Sequence, residues 1–445
     1  MIIETTNGKY ITLLSNGLLI NRELKDDFKF NKVESISAEK CIKHLRRELS
    51  DEEILSNLSS CTSLVLGITE ECNFRCRYCV FSGKYINDRI HSNKKMDFKT
   101  AKQAVDLFFK TIFLDTRRKR RNEVYIGFYG GECLLEFNLI KDIIDYTAKK
   151  AIKQNIAKRF KILYRLTTNG YLLTDEIVDF LKENDVIVDV SLDGPEKEHD
   201  KFRITKSSEK TWNKIMFNLS RLKERYNDYY NRKIYYLITL HPDHNFESID
   251  RFFLDNPKLF KNEKLQFNLL LIKGLKKKEY DKLKKITYNS SELNFLKVID
   301  DLNSRFALKN KKYFTNFTGN CFPGGEKLFV DTNGELNICE KMSQKAPKIG
   351  DVKTGFNFNS IRRIINEFNE EVIKKKCWEC QYWFLCTACF ASSFNNGKFQ
   401  IDCTDKESHK RLLKKYVEYL EEKDEKNGKY NLKCSCNITD FIEQL

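Results

Sequence analysis

Three closely spaced cysteines are the first residues in this sequence that could do chemistry. They are Cys72, Cys76 and Cys79, and they form a CxxxCxxC run. Three thiolates in one short loop can each bind one iron of a 4Fe-4S cube and leave the fourth iron without a protein ligand, and soft sulfur ligands select iron-sulfur clusters or zinc. A structural zinc site needs four ligands, whereas this loop offers three with no His nearby. An iron-sulfur cluster with one open iron is therefore favoured over zinc.

The residues before this run predict the element that positions it. Residues 62–69 (TSLVLGIT) are apolar and β-branched, as in a buried strand, so the thiols lie on the loop that leaves the carboxyl end of a strand. Strand patterns and helix patterns such as 97–114 and 136–153 alternate from there to residue 272. The predicted strands are 62–69, 123–129, 161–168, 186–192, 233–240 and 265–272.

Six strand–helix units imply a parallel sheet with right-handed crossovers. The predicted fold class is α/β, an open, partial (β/α)6 barrel that resembles a TIM barrel with strands missing. Its active site would face the carboxyl ends of the strands.

A second group of seven cysteines lies after residue 310. The two C-x-x-C pairs within it are also typical of a zinc ribbon, but ribbon pairs are separated by some 15 to 20 residues. Only five residues lie between these pairs, and a ribbon would leave the other three cysteines without a role. The group consists of Cys321, Cys339, Cys377, Cys380, Cys386, Cys389 and Cys403.

Composition restricts the class of protein. The 445 residues include 15 cysteines, which in a reducing cytoplasm are more plausible as metal ligands or catalytic groups than as disulfides. No run approaches the roughly 18 apolar residues that cross a bilayer, and the N-terminus does not resemble a secretory signal. We therefore predict a cytoplasmic protein without a membrane partner.

The net charge of +16 leaves one alternative outside the enzyme class. A zinc-containing nucleic-acid module would use the basic run 117–121 on phosphates. No recognition-helix or base-stacking pattern accompanies these cations, so no nucleic-acid partner is predicted, and the run is interpreted as a surface loop or a docking patch.

The CxxxCxxC run, with Tyr78 before its last cysteine, resembles that of the radical S-adenosylmethionine (radical SAM) enzymes. The resemblance implies that Cys72, Cys76 and Cys79 hold a 4Fe-4S cluster whose open iron binds the amino and carboxylate groups of SAM. It also implies that an electron, supplied by a reductant such as flavodoxin or ferredoxin, splits SAM into methionine and a 5′-deoxyadenosyl radical. That radical abstracts a hydrogen atom from the substrate.

Further segments match the same family and predict cofactor-binding residues in addition to Tyr78. Gly130, Gly131 and Glu132 follow the second strand, and the matching GGE of the family meets the SAM amino group through backbone and carboxylate. Glycines let a backbone approach a ligand closely. Ser191 and Arg203 match residues that contact the SAM ribose and carboxylate in the branch that activates sulfatases. A surface salt bridge is the alternative role for Arg203.

The second cysteine group, with its Gly-x4-Cys step from Gly334 to Cys339, resembles the SPASM extension of peptide- and protein-modifying radical SAM enzymes. In that family the extension holds two auxiliary 4Fe-4S clusters, which makes three clusters in all. Matched residue by residue, one auxiliary cluster would be ligated by Cys321, Cys339 and Cys389, and the other by Cys377, Cys380, Cys386 and Cys403.

Two departures from the family pattern bear on the ligands. Two residues separate Cys386 from Cys389, where three are commoner, so the division between the clusters is less certain. The extra Cys that fully ligated relatives carry near Cys321 is missing. The first auxiliary cluster would then have a vacant iron, unless Cys434 or Cys436 supplies the ligand.

A vacant iron could bind a substrate thiolate, so the resemblance implies a peptide maturase. Its substrate would be a ribosomally made precursor peptide, in which it forms a thioether between a Cys sulfur and a carbon of another residue. The alternatives are carbon–carbon cross-linking, epimerisation, and sulfatase maturation by formylglycine formation. In the last case Glu340, directly after Cys339, would be the catalytic carboxylate that takes the substrate proton, although the relatives use Asp there.

The predicted domains follow from these segments. Residues 1–60 carry two short strands between 9 and 21 and helical periodicity from 38 to 58, and they form either a partial leader-peptide-binding module or a lid on the barrel. The remaining boundaries are the radical SAM barrel at 61–275, a helical linker at 276–313, the SPASM domain at 314–410, and a C-terminal helix and tail at 411–445.

The cluster assignment predicts the metal content. Anaerobically purified protein should be brown, absorb broadly near about 400 nm and contain roughly twelve iron atoms per chain, because three four-iron clusters are expected. A triple variant with Ala at positions 72, 76 and 79 should lose roughly four of them. Colourless protein loaded with zinc would contradict the enzyme interpretation.

Overall fold

The computed structural model describes residues 2–4, 10–14, 17–21, 38–85, 89–114, 122–269, 321–380, 386 and 388–403. The predictions for the basic run 117–121, the linker 276–313, the C-terminal helix, and Cys434 and Cys436 lie outside these residues. No helix in the described part of the chain is long and apolar enough to span a membrane.

Six parallel strands follow one another in the order of the chain, as predicted for the partial barrel. Each of these strands overlaps its predicted segment. The prediction was possible because short apolar, β-branched runs are typical of strands buried inside a sheet. The strands are β4 (Ser63–Thr69), β5 (Glu123–Gly130), β6 (Lys161–Thr168), β7 (Ile187–Ser191), β8 (Ile234–Leu240) and β9 (Leu265–Leu269). A separate antiparallel sheet precedes them and contains β1 (Ile2–Glu4), β2 (Tyr10–Leu14) and β3 (Gly17–Asn21).

The helices between the strands agree with the sequence periodicity. The predicted helix at 97–114 begins after Asp97, whose side chain accepts a hydrogen bond from the backbone N–H of Thr100. These helices are α3 (Phe98–Phe113), α4 (Phe137–Lys153), α5 (Ile156–Arg159), α6 (Asp175–Glu183), α7 (Glu196–Asp200), α8 (Trp212–Arg225), α9 (Asn227–Lys233) and α10 (Phe246–Leu254). Short 3-10 turns span Cys133–Glu136 and Asn262–Lys264.

The helical segment predicted at 38–58 is divided into two helices, α1 (Ala38–Leu45) and α2 (Asp51–Ser59). Ser50 begins α2 with a capping box, in which its side chain accepts from Glu53 N and the Glu53 carboxylate accepts from Ser50 N. The Ser-x-x-Glu signal is present in the sequence, so the break could have been predicted.

The two faces of the parallel sheet differ in exposure. Side chains alternate between the faces of a strand. One face is buried with the helices in a continuous core and includes Leu64, Leu66, Ile126, Phe128, Leu166, Val188, Val190, Tyr236 and Ile238. The opposite face, here called the lumen face, is partly exposed and carries Val65, Tyr125, Tyr129, Arg165, Thr167, Ser191, Tyr235, Leu237 and Thr239. The concave side of the partial barrel is therefore accessible and mostly polar.

The C-terminal extension continues this sheet. Strand β10 (Lys327–Val330) pairs in parallel with β4, and the antiparallel strands β11 (Glu335–Asn337), β12 (Gly350–Asp351) and β13 (Gly355–Phe356) follow at the edge. The remaining elements are α11 (Phe358–Lys374), a 3-10 turn at Cys377–Glu379, α12 (Phe390–Ser393), and the hairpin β14 (Phe394–Asn395) and β15 (Lys398–Phe399).

Helix α1 packs against the extension. Arg46 forms an ion pair with Glu370, at 2.9 Å between Nε and Oε1, and Asn369 donates to the carbonyl of Leu45 at 2.8 Å. Within 1–60, the described helices therefore contact α11 of the extension. The domain boundaries and the leader-binding role of this region remain predictions.

Two glycines at the end of β5 allow two backbones to approach each other. A Cβ at Gly131 would lie 2.1 Å from the carbonyl oxygen of Glu71, and a Cβ at Gly130 would lie 2.2 Å from that of Thr69. The Thr69–Glu71 segment leads directly into Cys72. The structure shows these glycines against the segment that supports the cysteine loop, and their approach to a ligand stays a prediction.

We predict that Gly131→Ala destabilises the fold by about 2 to 3 kcal/mol, because the added methyl group meets backbone atoms that cannot move independently. Gly397→Ala is the control, since Gly397 has a φ of +81° and nothing within 4 Å of the added Cβ. That change should cost about 1 kcal/mol of backbone strain. Urea unfolding followed by circular dichroism measures both, and equal losses would contradict the close approach.

Candidate active site

The three cysteines lie on the loop at the carboxyl end of β4, as the sequence predicted. Backbone N–H groups donate to two of the sulfurs, from Phe74 to Cys72 at 3.3 Å and from Phe81 to Cys79 at 3.4 Å. Such hydrogen bonds stabilise a sulfur that carries negative charge. The loop is thus shaped to present thiolates.

A neighbouring segment holds the loop in place. The N–H of Arg75 donates to the carbonyl of Ile204 at 2.8 Å, and the N–H of Arg77 donates to that of Phe202 at 2.9 Å. The cysteine loop is therefore paired with the segment that contains Arg203, more than 120 residues further along the chain.

Burial raises the pKa of all three thiols. The pKa of Cys72 rises to about 12, and those of Cys76 and Cys79 also rise. The nearby Arg203 guanidinium opposes this effect at Cys76 and Cys79. Without metal these groups are neutral thiols, so iron must displace their protons as it binds.

The donor set fits a multi-iron cluster. Among the residues that the structure describes, no three His, Cys, Asp or Glu side chains converge closely enough to hold a single metal ion. A negative charge on Cys79 would raise the pKa of both Cys72 and Cys76, so the three sulfurs lie near one another. Three thiols on one loop match a cluster, whose irons take one thiolate each.

The Glu132 carboxylate is used inside the fold. Its exposure is 1%, and it accepts hydrogen bonds from Leu134 N at 3.1 Å, Thr168 Oγ1 at 2.8 Å and Asn169 N at 2.7 Å. Burial outweighs these bonds and raises its pKa to about 7. Contact of this carboxylate with SAM stays a prediction, since three protein donors already occupy it.

Asn169 extends this network to the cysteine loop. Its side-chain amide donates to Asn73 Oδ1 at 2.8 Å. Glu132, Asn169 and Asn73 therefore connect the ends of β5 and β6 to the loop that carries the thiols. Sequence reasoning missed Asn169, although its position directly after a predicted strand was a usable signal.

Arg203 belongs to a buried ion pair with Asp193. The distance from Arg203 Nε to Asp193 Oδ2 is 2.8 Å, the exposure of Asp193 is 0%, and the Tyr78 hydroxyl donates to the same oxygen. The guanidinium also lies 5.4 Å from the Tyr78 ring centroid. The alternative of a surface salt bridge is therefore wrong for Arg203. Its contact with SAM stays a prediction, as does that of Tyr78.

The charge of Asp193 is stabilised by its partner. Burial alone would raise the pKa of this carboxyl, but the charge and hydrogen bond of Arg203, together with other nearby groups, hold the pKa below its usual value. Asp193 lies two residues after Ser191, which is the last residue of β7. The Ser191 side chain makes no hydrogen bond to the described residues. Sequence reasoning missed Asp193, although its position two residues after a predicted strand was a usable signal.

Three buried histidines, which sequence reasoning also missed, surround this pair. His199 Nδ1 accepts from the N–H of Asp193 at 3.2 Å, and burial lowers its pKa to about 3, so the ring is neutral. The rings of His241 and His244 lie 4.1 and 4.8 Å from that of Phe202, measured between centroids. Both follow β8, in the motif HPDH.

The structure brings the extension cysteines together in two groups. Burial raises the pKa of Cys321 to about 12, and the nearby charges of Cys339 and Cys389 contribute. Burial likewise raises the pKa of Cys377 to about 12, with contributions from Cys403, Cys386 and Cys380. These groups coincide with the two predicted ligand sets, although ligation itself remains a prediction.

Glu340 lies in the extension, three residues after the end of β11. Lys327 Nζ is 3.0 and 3.2 Å from its two carboxylate oxygens, and although burial would raise the Glu340 pKa, this cation together with a backbone hydrogen bond and the nearby Lys341 lowers it. The phenol of Tyr129 is affected by the charges of Glu340, Cys79 and Cys339. The Tyr129 ring lies 6.5 Å from that of Phe329 on β10, and Arg89, ten residues after Cys79, donates to the Met342 carbonyl at 2.6 Å, so the segment after the first cysteine loop contacts the turn that follows Cys339.

Comparison with known proteins defines the class to which this arrangement belongs. Residues 66–255 match the model of the Radical SAM superfamily. The matched segment runs from β4 to the residue after α10 and contains the CxxxCxxC loop. Residues 66–255 therefore form a radical SAM domain.

Three curated relatives share parts of the sequence. An uncharacterized protein of Methanocaldococcus jannaschii is 40% identical over 133 residues, which cover 30% of this chain and 39% of the relative. A cysteine-type anaerobic sulfatase-maturating enzyme of Clostridium novyi is 24% identical over 74% of this chain and 87% of its own length. The radical SAM cyclopropyl synthase TigE of Paramaledivibacter caminithermalis is 27% identical over 46% of this chain and 43% of its own length.

A solved structure has the same fold. Native anSMEcpe with bound AdoMet superposes with a TM-score of 0.56 at 18% sequence identity, over 81% of this chain and 99% of that chain. This likeness confirms the predicted α/β partial barrel.

We predict that Asp193→Asn destabilises the protein by about 3 to 5 kcal/mol, because it leaves the buried Arg203 cation without a counter-charge. Asp175→Asn is the control: it removes an exposed partner of Arg221, 3.1 Å away, and should cost less than about 1 kcal/mol. The free energy of unfolding in urea measures both. A loss at Asp193 no larger than that at Asp175 would show that the buried pair does not stabilise the site.

Proposed function

We propose that this protein is a radical SAM peptide maturase that joins a Cys sulfur of a precursor peptide to a carbon atom of another residue. The observation that carries the proposal is the contact between the segment after the first cysteine loop and the turn after Cys339: Arg89 donates to the Met342 carbonyl at 2.6 Å, beside the Tyr129 ring on the lumen face, which lies 6.5 Å from that of Phe329 on β10.

Cys72, Cys76 and Cys79 would hold the 4Fe-4S cluster that binds SAM. With SAM bound and the cluster reduced, the cluster and SAM together would supply a 5′-deoxyadenosyl radical, which removes a hydrogen atom from a substrate carbon. In the overall reaction, SAM, a C–H bond and a thiol give methionine, 5′-deoxyadenosine, a thioether and one proton. SAM is the oxidant in this balance, and the electron that starts the reaction is returned when the carbon–sulfur bond forms.

The extension would supply the auxiliary clusters. Cys377, Cys380, Cys386 and Cys403 provide four thiols for one cluster, whereas Cys321, Cys339 and Cys389 provide three for the other. Of the described residues, only these three cysteines are assigned to the second cluster. A set of three thiols leaves room for the sulfur of a substrate Cys.

The lumen face is suited to a peptide. Arg165 is held by Asp189 through two hydrogen bonds of 2.6 and 2.8 Å, and its guanidinium lies 5.5 Å from the ring centroid of Tyr235. Polar side chains with fixed positions can bind backbone amides and orient a substrate. A precursor peptide is the proposed partner, together with a one-electron reductant of the flavodoxin or ferredoxin class.

Sulfatase maturation is the second candidate, and the position of Glu340 favours it. An ionised carboxylate beside Cys339 could accept the proton from a substrate Cys, whose oxidation and hydrolysis would give formylglycine and hydrogen sulfide. The relative from Clostridium novyi is a cysteine-type sulfatase-maturating enzyme, and another from Bacteroides thetaiotaomicron is of the serine type. Glu340 is not required in the thioether reaction.

The test is a reaction with SAM, dithionite and a pool of synthetic peptides that each contain one Cys. We expect 5′-deoxyadenosine, and a peptide product that is lighter by two hydrogen atoms and whose sulfur no longer reacts with iodoacetamide. An aldehyde-reactive product would instead support sulfatase maturation.

Two variants separate the candidates. Glu340→Gln should keep thioether formation within about tenfold of the parent, since a lost general base typically costs 100-fold or more. Cys339→Ala should retain 5′-deoxyadenosine formation and lose the cross-link. If the parent protein never forms 5′-deoxyadenosine, both candidates are wrong.

A further inference from the structure

Arg89 is a buried cation that has no acidic partner among the residues that the structure describes. Its exposure is 4%, and its Nε and Nη2 both donate to one neutral acceptor, the carbonyl of Met342, at 2.9 and 2.6 Å. The rings of Phe81 and Phe329 each lie 5.7 Å from the guanidinium carbon. Among the described residues, no Asp or Glu is within ion-pair distance of it.

Such an arrangement is costly unless a negative charge lies nearby. Transfer of a charge from water to a protein interior costs several kcal/mol, and one carbonyl acceptor does not replace its hydration. The two aromatic faces recover only about 1 to 2 kcal/mol of this cost. The surroundings of Arg89 therefore call for a counter-charge.

The acidic neighbours beyond ion-pair distance are already engaged. The groups whose charges act on Arg89 are Tyr129, Cys339, Glu340 and Asp331. Glu340 is paired with Lys327, and Asp331 accepts hydrogen bonds from the N–H groups of Asn333 and Glu335, both at 3.0 Å. Burial raises the pKa of the Tyr129 phenol and keeps it neutral. The N–H of Met342 donates to the Cys339 carbonyl at 3.2 Å, so Arg89 binds the turn that begins at Cys339, and Lys327 is the other cation near that thiol.

We propose that Arg89 is the counter-charge of the iron-sulfur cluster ligated by Cys339, and that it keeps the reduction potential of this cluster high. The inference rests on the proposed function, because it requires a cluster at Cys339. A cluster that takes up one electron becomes more negative, so a buried cation beside it favours the reduced form. Because Arg89 follows Cys79 by ten residues, the SAM-binding segment would thereby set the potential of the auxiliary cluster.

The experiment measures auxiliary-cluster midpoints by redox titration with EPR detection. The starting protein carries Cys72→Ala, Cys76→Ala and Cys79→Ala, so that only auxiliary clusters remain. In this background Arg89→Gln, which keeps a donor for the Met342 carbonyl, should lower one midpoint by about 59 mV or more, a tenfold change in the equilibrium constant of a one-electron couple.

Two further variants serve as controls. Arg362→Gln removes another arginine of the extension, one that donates to the carbonyl of Leu49 at 2.8 Å and pairs with Asp51, and it should leave both midpoints unchanged. Arg89→Lys keeps the charge, so the equilibrium constant for reduction of the cluster should stay within twofold of its value in the starting protein. This variant also tests the role of the charge if Arg89→Gln fails to fold. A tenfold shift in Arg89→Lys, or none in folded Arg89→Gln, would overturn the role of Arg89.

Iron analysis separates this inference from the proposed function. Cys339→Ala should lose about four iron atoms per chain. If no iron is lost, the ligand assignment behind the proposed function is wrong, and the role of Arg89 is overturned with it. If the iron is lost but Arg89→Gln leaves both midpoints unchanged, only the role of Arg89 is wrong.

Discussion

One carboxylate without exposed surface holds the active-site end of the barrel together. Asp193 accepts hydrogen bonds from Tyr78 in the cysteine loop, from Arg203, and from the backbone N–H of Thr239 on β8 at 2.9 Å. These donors belong to three separate parts of the chain. Because a buried carboxylate is stable only when its charge is compensated, the loop with the thiols, the segment after α7 and the end of β8 must meet at this point.

Buried charged side chains also lie between β4 and the extension. Strand β10 extends the sheet beside β4, so Lys327 and Glu340 lie next to the strand from which the first cysteine loop leaves. Arg89 then joins that loop region to Met342 in the interior. The extension is therefore part of the wall of the site, and its sheet pairing determines how closely the two groups of thiols approach.

Strands and most helices could be predicted because their signals are local. The apolar runs of β4 to β8 and the capped, periodic pattern of α3 carry their own information. The residue networks could not be predicted in this way. The Glu132 carboxylate accepts from Thr168 and Asn169, and no local pattern encodes a hydrogen bond between residues 36 positions apart. Position 131 likewise requires glycine, because a side chain there would collide with the backbone of Glu71. These two residues meet only after β4 and β5 pair.

The sequence by itself predicted the radical SAM resemblance and the positions of the thiols, because the spacing of Cys72, Cys76 and Cys79 and the strand that precedes them lie within one short segment. Only the tertiary structure decided which side chains share buried charge, such as Arg203 with Asp193, and which cysteines of the extension are neighbours. Burial creates that difference: an ion pair or a raised thiol pKa depends on what excludes water from the site, and the residues that exclude it come from distant parts of the chain.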